Sequence, residues 1–323
     1  MVETVTHEES RPVRVAVVGM GHVGSTFAYA LLLSGLVAEI VLIDNNQAKA
    51  EGEAMDLSHT VPFAHPTRIW AGDFSDCARA AVTVLAAGTN QKPGQSRLDC
   101  IQRNASIWRE IVPQIARHNP TGILLVATNP VDVLTYAAWK LSGLPVARVL
   151  GSGTILDTAR FRFLLSQKFG VDAQSVHAYI IGEHGDSEVP VWSLANIAGM
   201  RLPEYCRAQG PAYEISQMES IFESTRNAAY EIIERKGATF YAVAAGLMRI
   251  TQAILRHQNT VLSVSSLING YYGISDVCFS LPTVVDRSGI HSVLRLELNE
   301  VERNCLLHSA EVLQKTIASL GLT

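Results

Sequence analysis

The chain has 323 residues, 48% of them hydrophobic and 17% charged, a globular composition with room for two ordinary domains or one large α/β unit with an appendage. A formal net charge of -4 gives no general attraction to nucleic acid or to an anionic membrane, and no apolar run reaches the roughly 18 residues needed to span a bilayer. The five cysteines, Cys77, Cys100, Cys206, Cys278 and Cys305, form no CxxC pair, which argues against a disulfide framework or a zinc site and for buried thiols.

Met1 to Ser10 is polar and acidic, unlike a signal peptide, so a soluble cytoplasmic protein is expected. Arg11 to Val18 then reads as a β-branched strand running into Gly19-Met20-Gly21-His22-Val23-Gly24. Ser25 to Leu33 has helical composition, and Gly35 can cap its end. In a strand, turn and helix the GxGxxG spacing has a physical meaning. Gly19 permits the tight turn, Gly21 lets backbone approach a pyrophosphate, and Gly24 lets the helix pack closely on the strand. The free N–H groups at the start of the helix, around Val23, face the anion. A second strand, Glu39 to Ile43, ends at Asp44, which stands 25 residues after Gly19. Alone, Asp44 serves equally well as a turn former ahead of Asn45-Asn46. With the glycines it occupies the position of an acid that meets the adenosine ribose hydroxyls, and its charge would repel a 2′-phosphate, which favours NAD over NADP.

Further short apolar runs at Arg68 to Ala71, Ala81 to Ala86, Gly122 to Ala127 and Arg148 to Leu150 alternate with helical segments, the pattern of a doubly wound parallel sheet. The polar stretch Gly88 to Leu98 reads either as a ligand-covering loop at the carboxyl ends of the strands or as a solvated connection. Tyr136 and Lys140 match the YxxxK spacing of a proton-transfer pair, but they follow Asn129-Pro130 in what reads as an ordinary amphipathic helix.

From Gly151 the character changes. A helix is expected over Leu156 to Gln167, a strand over Val176 to Ile181, and largely helical structure from Ile221 to Leu255 with an interruption at Gly237. Thr260 to Val285 reads as antiparallel strands turning at Asn269-Gly270. The last helix, Asn299 to Leu320, would turn Val301, Cys305, Leu306 and Leu313 to one face. Within this half, Ile181 to Asp186 places a histidine between two glycines and two carboxylates on an exposed turn, a candidate site of chemistry. Asp157 and Arg160 lie three apart on the predicted helix, so they share a face and can address one site.

These segments, in order, resemble the lactate/malate dehydrogenase family, on the side of the bacterial L-lactate dehydrogenases that fructose 1,6-bisphosphate activates. The resemblance covers Gly19 to Gly24, Asp44, Gln91 to Leu98, Thr128-Asn129-Pro130, Gly151 to Arg160 and Gly182 to Asp186. It implies an α/β fold: a Rossmann-type doubly wound parallel sheet over 12–150 that binds NAD, and a C-terminal mixed α+β substrate domain over 151–323 placed over it. It implies that Gly19, Gly21, Val23, Gly24, Asp44 and Asn129 hold the cofactor. His184 would donate a proton to pyruvate, Asp157 would stabilise the charged imidazole, and Arg97 would polarise the carbonyl. Arg160 would grip the substrate carboxylate, with Asn129 and Thr239 lining the pocket; outside the resemblance, Arg160 and Arg97 read as surface ion pairs. Gln91 stands where malate dehydrogenases carry arginine, so a second carboxylate would be buried without a cationic partner, and pyruvate is expected over oxaloacetate.

Arg162 points away from the Arg160 face, and His177 precedes His184 by seven residues. Both match the pair with which the bacterial enzymes bind fructose 1,6-bisphosphate between subunits, and an inter-subunit salt link is the alternative. A homotetramer is expected, with no metal, nucleic acid or membrane partner. About a dozen residues precede the first strand, so the long N-terminal arm of the animal enzymes is not expected. Two rivals stand beside this reading: a malate dehydrogenase, opposed by Gln91, and an NAD-binding sensor without turnover, which would have no need of a proton relay.

Overall fold

The computed structural model describes residues 12–89, 97–210 and 212–321, with only the backbone of 97–100. In chain order the elements are β1 (Arg14–Val18), α1 (His22–Ser34), β2 (Glu39–Ile43), α2 (Gln47–Thr60), β3 (Arg68–Ala71), β4 (Ala80–Leu85), α3 (Arg97–His118), β5 (Ile123–Val126), α4 (Val131–Ser142) and β6 (Val149–Gly151). There follow α5 (Ile155–Phe169), β7 (Val176–His177), β8 (Ile180–Ile181), β9 (Val189–Pro190), β10 (Asn196–Ile197), β11 (Met200–Arg201), α6 (Leu202–Gln209), α7 (Ile215–Lys236) and α8 (Tyr241–Leu255). The chain closes with β12 (Thr260–Tyr271), β13 (Ile274–Asp286), β14 (Gly289–Val293) and α9 (Glu300–Ala318).

The first six strands are parallel in the spatial order β3-β2-β1-β4-β5-β6, the arrangement that opens a crevice beside β1 where the winding reverses. β1 is apolar throughout because both of its faces are covered. Val15 and Val17 enter the core with α1 and α8, whereas Ala16 and Val18 enter the core with α3 and α4. The second half forms mixed α/β structure, but its long strands do not make a sheet of their own. The β12–β13 hairpin and β14 extend the first sheet, β12 meeting β6 antiparallel at Ser265 and Gly151, to give nine strands in one layer.

Four expectations are corrected. The hairpin reverses at Tyr272 and Gly273, both with positive φ (50° and 82°) as a tight two-residue turn requires, whereas Asn269-Gly270 forms an irregularity inside β12. Its Asn269 Oδ1 accepts the N–H of Asp276, so the Asn-Gly pair secures the bulge rather than the turn. The stretch from Val176 to Ile181 splits into β7 and β8, which belong to different sheets, so His177 and the chain leading to His184 diverge. On α9 the buried face is Glu302, Leu306, Ser309, Ala310, Leu313 and Ile317, which turns Val301 and Cys305 outward. Cys305 is therefore exposed, while Cys77, Cys206 and Cys278 are buried as expected. Among the described residues no helix is long and apolar enough to cross a membrane.

Candidate active site

The glycine turn is built as its spacing predicts. A Cβ on Gly19 would lie 2.5 Å from the backbone nitrogen of Ala87, and one on Gly24 would lie 1.9 Å from the carbonyl oxygen of Gly19, so both positions exclude any side chain. A Cβ on Gly21 would meet nothing within 4 Å, which leaves open space in front of the backbone that begins α1. Asp44, at the end of β2, accepts the Met20 N–H at 2.6 Å and the Asn46 N–H at 2.9 Å, which fixes its carboxylate against the glycine turn. Space before Gly21, unopposed N–H groups at a helix start and a fixed acid beside them fit a dinucleotide without a 2′-phosphate. Val23 is half-buried against the core beneath.

His184 is placed by three elements. Thr154, which precedes α5, and Thr158 within it both donate to the carbonyl of Ile180, and Thr158 Oγ1 also accepts the Ile180 N–H, so β8 is bound to the start of α5. The chain then turns at Gly182, whose N–H and carbonyl exchange hydrogen bonds of 2.9 Å with Ser280 of β13. The N–H of Glu183 donates to Ser309 of α9, and the N–H of His184 donates to Asp132 Oδ2 of α4, each at 2.7 Å.

With the turn held in this way, His184 Nδ1 and Asp157 Oδ2 are 2.5 Å apart, and Arg160 Nη1 lies 3.1 Å from the other oxygen, Asp157 Oδ1. Asp157 is thus shared between the two groups with which the sequence pairs it. Its side chain is buried, whereas the imidazole keeps 23% exposure, and Nε2 is the nitrogen left for a substrate. Burial of His184 works against its charged form. The charge and hydrogen bond of Asp157, with Asp132 and Glu188 behind it, outweigh that and raise its pKa to about 9. Asp157 itself is held below the ordinary carboxylate range, because His184 and Arg160 overcome the effect of its burial.

Glu188, four residues after His184, is 7% exposed and its Oε1 has no hydrogen-bond partner among the described residues. Burial first, and then the charge of Asp157, push its carboxyl up to about 8. Neither Asp132 nor Glu188 is signalled by sequence. Asp132 looks there like an ordinary acid in the first turn of a helix.

The remaining candidates fall in two groups. Asn129 is exposed at the head of α4, and its carbonyl accepts from Asn104, a buried residue that also takes the Thr89 N–H. Thr239 is half-buried in the link between α7 and α8; its neighbour Phe240 stacks on His22 at the start of α1, ring centroids 5.1 Å apart, which brings this link to the glycine turn. Gln91 lies outside the described residues, and Arg97 opens α3 with its side chain also outside them. Arg162 and His177 stand apart from His184. Arg162 Nε donates to the carbonyl of Ala178, the residue after the exposed His177, and its guanidinium lies over the Tyr179 ring. Tyr136 of the YxxxK spacing is buried and donates to Asp276, and Lys140 sits over the rings of Tyr136 and Trp139.

A dinucleotide cradle on the parallel half and, in the other half, a histidine whose charged form is favoured by a buried carboxylate are the parts a dehydrogenase needs. Residues 13–151 match the lactate/malate dehydrogenase NAD binding domain, and residues 154–320 match the lactate/malate dehydrogenase alpha/beta C-terminal domain. The L-lactate dehydrogenase of Acetivibrio thermocellus is 52% identical over 309 residues, covering 96% of this chain and 98% of that protein. That of Priestia megaterium is 52% identical over 303 residues, covering 94% and 95%. A lactate dehydrogenase from a Medee basin deep-sea metagenome library superposes with a TM-score of 0.93 at 46% identity, covering 96% of this chain and 99% of that one. The minor L-lactate dehydrogenase of Enterococcus mundtii, in a ligands-bound form, gives 0.92 at 42% identity, covering 95% and 98%. The chain belongs to the lactate/malate dehydrogenase family, and its cofactor is NAD.

Proposed function

We propose that the protein reduces pyruvate to L-lactate reversibly, and that it divides into an NAD-binding part over 12–150 and a catalytic part over 151–323. The observation that carries this reading is Asp157 shared between His184 and Arg160, one oxygen to each. NADH, when bound, supplies the hydride. His184, charged at neutral pH, gives the proton to the carbonyl oxygen from Nε2 while Asp157 holds Nδ1 and the charge. Arg160 has the rest of its planar fork to offer a carboxylate, a two-point grip that orients the 2-oxo acid. Gln91 selects pyruvate over oxaloacetate, Arg97 polarises the carbonyl, and Asn129 and Thr239 complete the pocket.

Because reduction consumes the proton on His184, its kcat/KM holds below a pH of about 9 and falls above it, while lactate oxidation rises through the same range. Arg162 and His177 form the effector site for fructose 1,6-bisphosphate. The placement of Arg162 against Ala178, next to His177, supports this, and the pair doubled across a two-fold axis of a cytoplasmic homotetramer suits a bisphosphate.

A panel of 2-oxo acids, assayed by NADH oxidation with and without fructose 1,6-bisphosphate, tests both parts. Pyruvate is expected to lead in kcat/KM; a lead for oxaloacetate overturns the substrate assignment. The bisphosphate should activate the wild type and not Arg162→Gln, and equal responses in the two, or none in either, remove the effector site.

A further inference from the structure

The backbone of the His184 turn is held by three acceptors, and one of them differs from the rest. Gly182 bonds to a carbonyl and Glu183 to a serine hydroxyl, but His184 bonds to the carboxylate of Asp132, a side chain 1% exposed. A neutral amide or hydroxyl would satisfy that N–H without the cost of burying a charge. The carboxylate is also poorly compensated elsewhere. Asp132 Oδ1 lacks a hydrogen bond among the described residues, as do the buried hydroxyls of Ser265 and Ser266 on β12, although Ser265 is close enough to favour the charged form. The other titratable groups that face it are Glu183, which opposes its charge, and the buried thiol of Cys278 on β13. Among the described residues, the cationic group that favours its charge is the His184 imidazolium, and Asp132 in turn favours that cation.

The geometry points to Asp132 as a positioning residue for proton transfer: it anchors the His184 backbone to α4, three residues from Asn129, and supplies a second negative charge to the imidazolium. This rests on His184 being the proton donor. Burial pushes the Asp132 carboxyl up to about 6, so between that and the value of about 9 for His184 both groups are charged and each favours the other's charge.

The test is the pH dependence of kcat/KM for pyruvate reduction in Asp132→Asn, beside wild type and His184→Asn, with melting temperature and NADH affinity measured on each. Asparagine keeps an acceptor for the N–H and removes only the charge. The expected result is an alkaline limb moved about one unit to lower pH, with melting temperature and NADH binding held. A limb that superimposes on the wild type, while His184→Asn is inactive, overturns the role of Asp132 alone; full turnover in His184→Asn overturns both readings. Should Asp132→Asn fail to fold, the amide of His184 in wild-type protein labelled with 15N-histidine decides. Its proton should titrate near pH 6 as the carboxyl protonates, separately from the imidazole step near 9. An amide that follows only the imidazole step overturns the inference.

Discussion

Helix α5 carries two arginines two residues apart, and the helix gives them opposite settings. Arg160 has 12% of its side chain exposed and lies against a buried carboxylate; Arg162 donates to a backbone carbonyl, lies over a tyrosine ring, and meets no carboxylate among the described residues. The residues between and beside them divide in the same way, since Asp157, Thr158, Phe161 and Leu165 are buried while Phe163 is 53% exposed. One face of the helix holds a charge already fixed in direction by a partner. The other leaves a charge available to an anion from outside. A cation set by an internal counter-ion suits a reaction that must be repeated in one geometry, whereas one without such a counter-ion suits reversible capture.

The sharpest way to break that contrast is Asp157→Asn, which removes the counter-ion shared by Arg160 and His184. Pyruvate reduction should fall about 10²- to 10⁴-fold in kcat, and the alkaline limb should drop from about 9 toward the ordinary histidine value of 6.5, both read from steady-state rates across pH. Next comes packing: Phe161→Ala empties a fully buried position and should cost about 3–5 kcal/mol in denaturant unfolding. Arg160→Lys keeps the charge and loses the fork, at roughly 1.5–3 kcal/mol, seen as a ten- to hundredfold loss in kcat/KM for pyruvate. Phe163→Ser, on the outward face, should stay within about 0.5 kcal/mol of the wild type in the same unfolding assay. Equal costs at Phe161 and Phe163 would show that the two faces are not distinct.

Much of the fold is legible in the sequence, for local reasons. The glycine turn, Asp44 and the Asp157–Arg160 spacing are set by short-range geometry, and strand positions in the parallel half agreed within a few residues because continuous apolar runs leave little choice. What escaped reading depends on chain segments far apart. Asp132 reaches His184 across 52 residues, and nothing in its neighbourhood distinguishes it from an acid placed for the helix dipole. The Asn-Gly pair is a sound turn signal, but the chain reverses three residues on, at Tyr272-Gly273, and Asn269 instead secures the irregularity in β12 through the N–H of Asp276. On α9 the apolar residues suggested a stripe through Val301 and Cys305. The buried polar residues Glu302 and Ser309, held by Ser193 and by the His184 turn, turn the helix otherwise.

The junction of β6 with β12 has a consequence for anyone wishing to cut the molecule. A chain ended after Gly151 would uncover the edge of the three-residue β6, and a chain begun there would uncover β12 around Ser265, the residue that pairs with Gly151. Each fragment would carry an adhesive border, inclined to join its own copies. The two parts that family comparison separates are, for expression and storage, a single object.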